Sequence, residues 1–186
     1  SEDVEATVIG EFDGSKKLSQ REKVKKIYDY IVKNIRYSHV SFRQSGLIPQ
    51  KASKTINTKM GDCKDVSTLF VTLCKEANID ANLVLVDSRK YGSKSMALPS
   101  INFDHCIAKV DLEDEEYFVE LTNDYNPFST LYYGLKNAFA LEIIDDKAVK
   151  VKPEYLDPPT RCENSVYRES MVTFDDNVMH VDKSSL

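Results

Sequence analysis

Hydrophobic positions recur every three or four residues over one long stretch near the start of the chain. Ser19 precedes this stretch and Glu22 follows three residues later, which is the arrangement of a capping box at a helix start. The spacing predicts an amphipathic α-helix that ends near Asn34 and buries one face. The apolar positions on that face are Val24, Ile27, Tyr28, Ile31, Val32 and Ile35.

A second helical pattern follows an irregular segment. Residues 37–60 have no clear period, so we expect a long surface connection with a short helical turn at 53–58. Asp62 is a suitable N-cap, and Asp65 places a carboxylate near the positive end of the helix. The helix is expected to stop at Asn78. Its apolar face consists of Val66, Leu69, Phe70, Leu73, Cys74 and Ala77.

Short runs rich in β-branched and aromatic residues come after the two helices, separated by turn-forming residues. The second and third runs are expected to form a hairpin across an acidic turn, and the last two to form another. Residues 88–100 are expected to form a loop. The predicted strands are 81–86, 103–110, 117–121, 138–144 and 148–151. This order predicts an α+β fold in which the second helix packs on an antiparallel β-sheet.

Three parts are expected along the chain. Residues 1–18 give weak signals and are interpreted as an N-terminal arm, whereas 19–156 hold the predicted helices and strands. Prolines at 153, 158 and 159 interrupt the pattern, and we place a domain boundary there. Residues 157–186 are expected to be a linker and a β-rich tail that either belongs to a neighbour or opens a following β-domain.

Composition excludes several classes of function. The 186 residues carry 25 Lys and Arg against 30 Asp and Glu, a net charge of −5, so nucleic acid is a poor candidate partner. No apolar run is long enough for a membrane-spanning helix, and the N-terminus lacks the basic and apolar regions of a signal peptide. The chain starts without Met, which leaves open a removed leader.

The four cysteines indicate neither a disulfide scaffold nor a zinc site. Cys63 and Cys74 lie on one predicted helix about 16 Å apart, which is too far for a bridge. No Cys-x-x-Cys or His-x-x-x-His pair is present. We therefore expect no metal and no organic cofactor.

Cys63 is the candidate nucleophile, because a thiol at a helix start faces unpaired amides and the positive end of the helix dipole, which favour the thiolate. Such a thiolate needs an imidazole, and that imidazole needs a group to orient it. His105 lies inside a predicted strand on an otherwise apolar face, where a polar ring needs a partner. Glu120 lies on the next strand and can supply that partner.

Loop length decides whether His105 and Glu120 share a face of the predicted hairpin. A four-residue loop at 111–114 makes them direct cross-strand neighbours, and a two-residue loop at 113–114 makes them diagonal neighbours. A loop of odd length separates them to opposite faces.

Simpler interpretations stand beside the catalytic one. A helical cysteine is usually a small buried hydrophobe, as we expect for Cys74 and Cys106, and a strand histidine is often a satisfied core residue. A metal site at Cys63, His105 and Cys106 is disfavoured because adjacent strand residues point to opposite faces. The pair Tyr132 and Tyr133 is interpreted as packing, or as one wall of a cleft.

These residues also carry a family resemblance over roughly residues 20–150. The motif GDCKD at 61–65, the segment FDH at 103–105 and the segment FVELT at 118–122 resemble the core of the transglutaminase-like superfamily, which shares the papain-like arrangement. The similarity is closest to a bacterial branch whose core sits between β-rich domains of a larger exported or periplasmic protein. It implies a covalent connection to flanking β-domains in the full-length protein.

The resemblance implies Cys63 as nucleophile, His105 as general base and acid, and Glu120 as orienting carboxylate. Gln44, in the long connection, is the candidate second oxyanion donor beside the Cys63 amide. The implied activity is thiol-dependent acyl transfer, or hydrolysis of an amide or peptide, through a thioester. The substrate is expected to be a peptide, a protein or another amide.

The sequence departs from the family pattern at three points, and the two at Glu120 and Asp104 favour an alternative function. The third member is Glu120 rather than the usual aspartate, Asp104 replaces a familiar asparagine, and the chain has no tryptophan. The missing tryptophan argues against true protein cross-linking. The alternative is an inactive module of a larger surface protein that binds peptides or other partners in the same cleft.

Overall fold

A computed structural model shows an α+β architecture, as predicted. It describes residues 18–38, 48–88, 103–113, 115–123, 126–136, 138–144, 150–155, 168–175 and 178–185. The helices are α1 (Gln20–Asn34), α2 (Ala52–Thr58) and α3 (Cys63–Glu76). The strands are β1 (Arg36–Tyr37), β2 (Met60–Gly61), β3 (Asp80–Asp87), β4 (His105–Asp111), β5 (Glu116–Val119), β6 (Phe139–Ile144), β7 (Lys150–Tyr155), β8 (Arg168–Asp175) and β9 (Val178–Ser185).

Helix α1 has the predicted start and buried face. The Ser19 hydroxyl accepts the Glu22 N–H at 3.3 Å, while the Glu22 carboxylate accepts the Ser19 N–H at 2.8 Å. This reciprocal pair satisfies amides that a helix start otherwise leaves unpaired. The apolar positions facing the interior, including Val24, Ile27 and Ile31, are fully or almost fully buried. They pack in the same core as the apolar face of α3.

The main sheet is antiparallel, with the strand order β5-β4-β3-β6-β7. Helix α3 packs on its two central strands, β3 and β4. Because neighbouring strand residues point to opposite faces, the sheet contributes to two cores. One includes Ala108 and Val110 with the helices, and the other includes Ile107 with Leu131 and Leu135. The predicted packing of the cysteine-bearing helix on an antiparallel sheet is confirmed.

The β4–β5 hairpin has the even loop on which the shared face of His105 and Glu120 depends. Asp111 pairs with Glu116, and the Leu112 N–H donates to the Glu115 carbonyl at 2.8 Å. That bond shortens the loop to residues 113–114. The direct-neighbour register from a four-residue loop is therefore wrong, and the diagonal register is confirmed.

A short parallel pair fixes the chain just before Cys63. Tyr37 of β1 lies opposite Gly61 of β2, and the Ser38 N–H donates to the Gly61 carbonyl at 2.8 Å. Gly61 has no room for a side chain, because an added Cβ would lie 2.7 Å from the Asp65 Cβ. The sequence predicted neither strand, since two-residue strands carry no periodic signal.

Pro153, which the sequence predicts to interrupt the chain, lies inside β7 opposite Leu141. Strand β7 is at the edge of the sheet, where a residue without a backbone N–H is tolerated. The predicted second hairpin therefore extends four residues beyond Val151. Its end at Tyr155 is compatible with the expected boundary near 156, which stays a prediction.

The tail was expected to be β-rich, and it contains β8 and β9, which pair with each other as an antiparallel hairpin. Whether they open a further β-domain stays a prediction. The N-terminal arm lies outside the described residues, as does most of the predicted loop at 88–100. Within the part of the chain that the structure describes, no helix is both long and apolar enough to cross a bilayer.

Candidate active site

Cys63 is the first residue of α3 and is buried, with 4% of its surface exposed. Asp62 caps the helix, since one of its carboxylate oxygens accepts the Lys64 N–H at 3.1 Å and the Asp65 N–H at 3.2 Å. The other oxygen is ion-paired with the Lys64 ammonium, and both side chains are almost fully buried. The cap thus occupies the second and third amides of α3 and does not engage the Cys63 N–H.

Asp65 fastens the turn before Cys63 to the end of the long connection. Its carboxylate accepts the Asp62 N–H at 3.2 Å and both the backbone and side-chain amides of Gln50, at 2.8 and 2.7 Å. Burial alone would raise the pKa of Asp65, but these hydrogen bonds and the Lys64 charge hold that pKa below its usual range. The turn that precedes Cys63 is therefore held both by the cap of α3 and by Gln50.

His105 and Glu120 form a buried pair at the start of β4 and just after β5. The His105 Nε2 lies 2.7 Å from a Glu120 carboxylate oxygen, and Glu120 is 1% exposed. The other carboxylate oxygen accepts the Thr122 N–H and the Thr122 hydroxyl, both at 2.7 Å. A buried carboxylate is stable only when its oxygens are paired in this way.

Charge pairing sets the protonation of this pair. Burial would raise the pKa of Glu120, but the His105 charge and the His105 and Thr122 hydrogen bonds keep it below its ordinary value. Burial would lower the pKa of His105, yet the Glu120 charge and a hydrogen bond to Cys63 raise it well above 6.5. The favoured state near neutral pH is therefore imidazolium beside carboxylate.

The structure brings Cys63, His105 and Glu120 together. The His105 ring lies 2.7 Å from the Glu120 carboxylate, and Cys63 is close enough to the ring to raise its pKa. Because Nε2 is engaged by Glu120, Nδ1 is the ring nitrogen available to the sulfur. A thiol, an imidazole and a carboxylate in this order can activate sulfur as a nucleophile and shuttle one proton.

The other two described cysteines have inert surroundings. Cys74 and Cys106 are 0% and 1% exposed, and burial raises the pKa of each thiol. They are small buried residues, as expected. Among the described residues, no group of three or more His, Cys, Asp or Glu side chains is arranged to hold a metal ion.

Two tyrosines lie near the site, of which the sequence indicated only Tyr132, as packing or as one wall of a cleft. The Tyr132 ring lies edge-on to His105 with centroids 6.4 Å apart and is 38% exposed, so it forms part of the surface over the imidazole. Tyr37 is half-buried, and burial together with the nearby Cys63, Asp62 and Glu120 charges raises its pKa. The sequence carries no local signal for either contact, because both contacts join distant segments.

Asp104 does not place an unpaired charge beside His105. Its carboxylate accepts the Ser88 N–H at 2.7 Å and the Ser88 hydroxyl at 2.5 Å. These bonds join the start of β4 to the end of β3. Gln44, the candidate oxyanion donor, lies outside the described residues, and its role stays a prediction.

Comparison with known families supports the resemblance seen in the sequence. The model of a family described as the transglutaminase-like superfamily matches residues 9–120 of the chain. The match includes Cys63, His105 and Glu120. No curated protein sequence matches the chain.

Two solved structures share the fold. A candidate protease from Parabacteroides distasonis superposes with a TM-score of 0.62 at 12% identity, over 84% of this chain and 28% of that protein. A candidate cysteine protease from Cytophaga hutchinsonii superposes with a TM-score of 0.50 at 19% identity, over 100% of this chain and 51% of that protein. The chain thus spans only about a quarter and about half of their lengths. These likenesses confirm the transglutaminase-like, papain-like fold.

Proposed function

Since the chain belongs to the transglutaminase-like superfamily, we propose that it is a thiol enzyme that hydrolyses or transfers the acyl group of an amide or peptide. Cys63 is the nucleophile, His105 the general base and acid, and Glu120 the carboxylate that orients the imidazole. The observation that carries this proposal is the buried His105–Glu120 pair at 2.7 Å, with Cys63 near enough to raise the pKa of the same imidazole.

The first half-reaction forms a thioester. The Cys63 sulfur attacks the substrate carbonyl carbon as a thiolate, with the His105 imidazolium beside it. The tetrahedral intermediate then collapses, the carbon–nitrogen bond breaks, and His105 gives its proton to the departing amine. Glu120 keeps the imidazole in position and stabilises its charged form throughout.

The second half-reaction releases the acyl group. A water molecule loses a proton to His105 and attacks the thioester, which yields a carboxylic acid and restores the Cys63 thiolate beside the imidazolium. An amine in place of water would give a transferred amide. The absence of tryptophan from the chain argues against protein cross-linking as the transfer reaction.

An oxyanion site follows from the cap of α3. Asp62 engages the amides of Lys64 and Asp65, which leaves the Cys63 N–H to donate to the developing oxyanion. Such a donor contributes on the order of 3 kcal/mol to transition-state stabilisation. Gln44 remains the proposed second donor.

Thiol reactivity tests the pairing directly. Iodoacetamide labelling with peptide mapping near neutral pH should alkylate Cys63 much faster than Cys74 or Cys106, and His105→Ala should slow labelling of Cys63 at least about tenfold. His180→Ala, which removes a histidine of the tail, is the matched control and should leave that rate unchanged. The proposed pairing would be contradicted if both variants slowed the labelling of Cys63 equally. It would also be contradicted if neither variant changed the labelling rate.

Turnover separates the enzyme from the inactive binding module. Peptides, glutamine amides and cell-wall fragments should be screened for release of an amine and for incorporation of an added amine. Cys63→Ala should reduce the rate of any turnover by about a thousandfold or more. Tight peptide binding without turnover in the wild-type protein would favour the binding module instead.

A further inference from the structure

A cavity of about 550 Å³ lies between the C-terminal end of α1 and the residues that follow Glu120. This volume is in the range of small-molecule and peptide side-chain pockets. Its walls include Lys33, Arg36, Tyr37, Thr122 and Asn123. None of the three proposed catalytic side chains lines it, so the mechanism leaves the cavity without a role.

Two walls of this cavity are shared with the candidate active site. Thr122 holds Glu120 through both its N–H and its hydroxyl. Tyr37 pairs through its backbone with Gly61, two residues before Cys63. Its phenol also lies within the electrostatic reach of Cys63 and Glu120. A group bound in the cavity would therefore lie beside residues that hold Glu120 and the turn before Cys63.

The charged side chains that line the cavity are all positive. Lys33 and Arg36 each bring a full positive charge, and none of the eight lining residues is acidic. Neither cation forms an ion pair with another of the described residues. The last carbonyls of α1 oppose an anion, but the negative end of a helix amounts to only about half a charge. The two cations outweigh it.

We propose that this cavity is a substrate subsite that binds a carboxylate of the peptide or amide substrate. Lys33 and Arg36 supply the positive charge, and the Arg36 guanidinium can hold both carboxylate oxygens at once. The Asn123 amide lies in the same wall. The carboxylate is either the C-terminus of the peptide or an acidic side chain. This inference deepens the proposed function and rests on it for the identity of the bound molecule.

Binding to the Cys63→Ala protein tests the subsite without requiring turnover. The probes are fluorescein-labelled alanine tetrapeptides with a free C-terminal carboxylate, with a C-terminal amide, and with the amide plus Glu at each position in turn. Fluorescence polarisation should show at least one carboxylate probe binding about tenfold more tightly than the neutral amide. The free acid and the Glu series separate the two sources of the carboxylate.

Charge changes inside the cavity should remove this preference. When Lys33→Gln and Arg36→Gln are both added to the Cys63→Ala protein, the affinities for carboxylate and amide probes should differ by no more than about twofold. Asn123→Asp places a carboxylate among the lining residues and should have the same effect. Lys26→Gln, on an exposed position of α1, is the matched control and should leave the preference intact.

Each result decides the inference separately from the catalytic proposal. Equal binding of acid and amide probes, no binding of any probe, or a preference that survives the double substitution would overturn the subsite. A carboxylate preference in binding together with no turnover by the wild-type protein would uphold the subsite and overturn the catalytic proposal.

Discussion

At the residue scale, the feature with the largest chemical consequence is the buried contact between His105 and Glu120. A lone imidazolium in this position would be unstable, because burial favours the neutral ring. Glu120 reverses that preference, and Thr122 in turn holds Glu120 through two hydrogen bonds of 2.7 Å. The protonation of the candidate acid and base thus depends on residues that do not contact the sulfur.

Glu120→Gln should reverse the protonation of His105 near neutral pH. Without the carboxylate charge and its hydrogen bond, burial is opposed only by Cys63, and the pKa of His105 should fall from its raised value to near or below 6.5. Titration of the ring C–H resonance by NMR, with His105→Ala to assign it, measures the change. A ring that stays protonated in the Gln variant through pH 8 would contradict this account.

The same pair predicts how stability depends on pH. The raised pKa of His105 means that its contribution is complete below about 6.5 and is lost as pH rises toward about 10. The lowered pKa of Glu120 means that its contribution is present above about 4.5 and is lost as pH falls through its folded value. The difference in unfolding free energy between wild type and Glu120→Gln should therefore be largest between about pH 4.5 and about pH 6.5, where both contributions are present.

At the element scale, α1 and α3 begin with the same capping box in different surroundings. Ser19 at the start of α1 is exposed, whereas Asp62 at the start of α3 is 2% exposed and also pairs with buried Lys64. Exposure lets water replace a lost cap, and burial does not. The two starts therefore differ in how much stability depends on the capping side chain.

We expect Asp62→Ala to destabilise the protein by about 3 kcal/mol and Ser19→Ala by about 1 kcal/mol. Urea unfolding followed by circular dichroism measures both. Adding Lys64→Met to Asp62→Ala should recover part of the loss, because it removes the buried charge that the first change leaves behind. Equal losses for the two single variants would show that burial of the second cap is unimportant.

The sequence predicted those elements whose capping residues and hydrophobic period lie within the element itself. Both long helices were predicted from a cap and a 3.6-residue period, and α1 ends at the predicted Asn34. The sequence left the length of the β4–β5 loop open, and the observed even loop corresponds to the alternative in which His105 and Glu120 share a face. The β1–β2 pair and the contact of Tyr132 with His105 were missed, because each joins segments far apart in the chain. Pro153 misled the prediction, because proline excludes a central strand but not an edge strand.

At the scale of the whole molecule, the described strands fall into separate sheets. The five-stranded sheet ends with β7, and β8 pairs with β9 alone. The elements that hold Cys63, His105 and Glu120 all precede residue 156. The expected boundary near that residue therefore has a direct consequence for truncation.

A chain ending at residue 156 should keep the fold and the reactivity of the core. We expect its thermal unfolding midpoint to stay within about 4 °C of the full chain, a shift equivalent to about 1 kcal/mol or less. Labelling of Cys63 by iodoacetamide should proceed at the full-length rate. Loss of cooperative unfolding or of labelling would mean that residues 157–186 are part of the core.

The bonds on either side of residues 39–47 have a consequence for how such a protein can diversify. Ser38 is tied to Gly61, and Gln50 is tied to Asp65, so both ends of that segment are fixed to the turn that carries Cys63. Segments of other lengths and sequences can then be grafted between these two anchors while the sulfur keeps its place. The length and sequence of this segment can thus vary while Cys63 stays fixed at the start of α3.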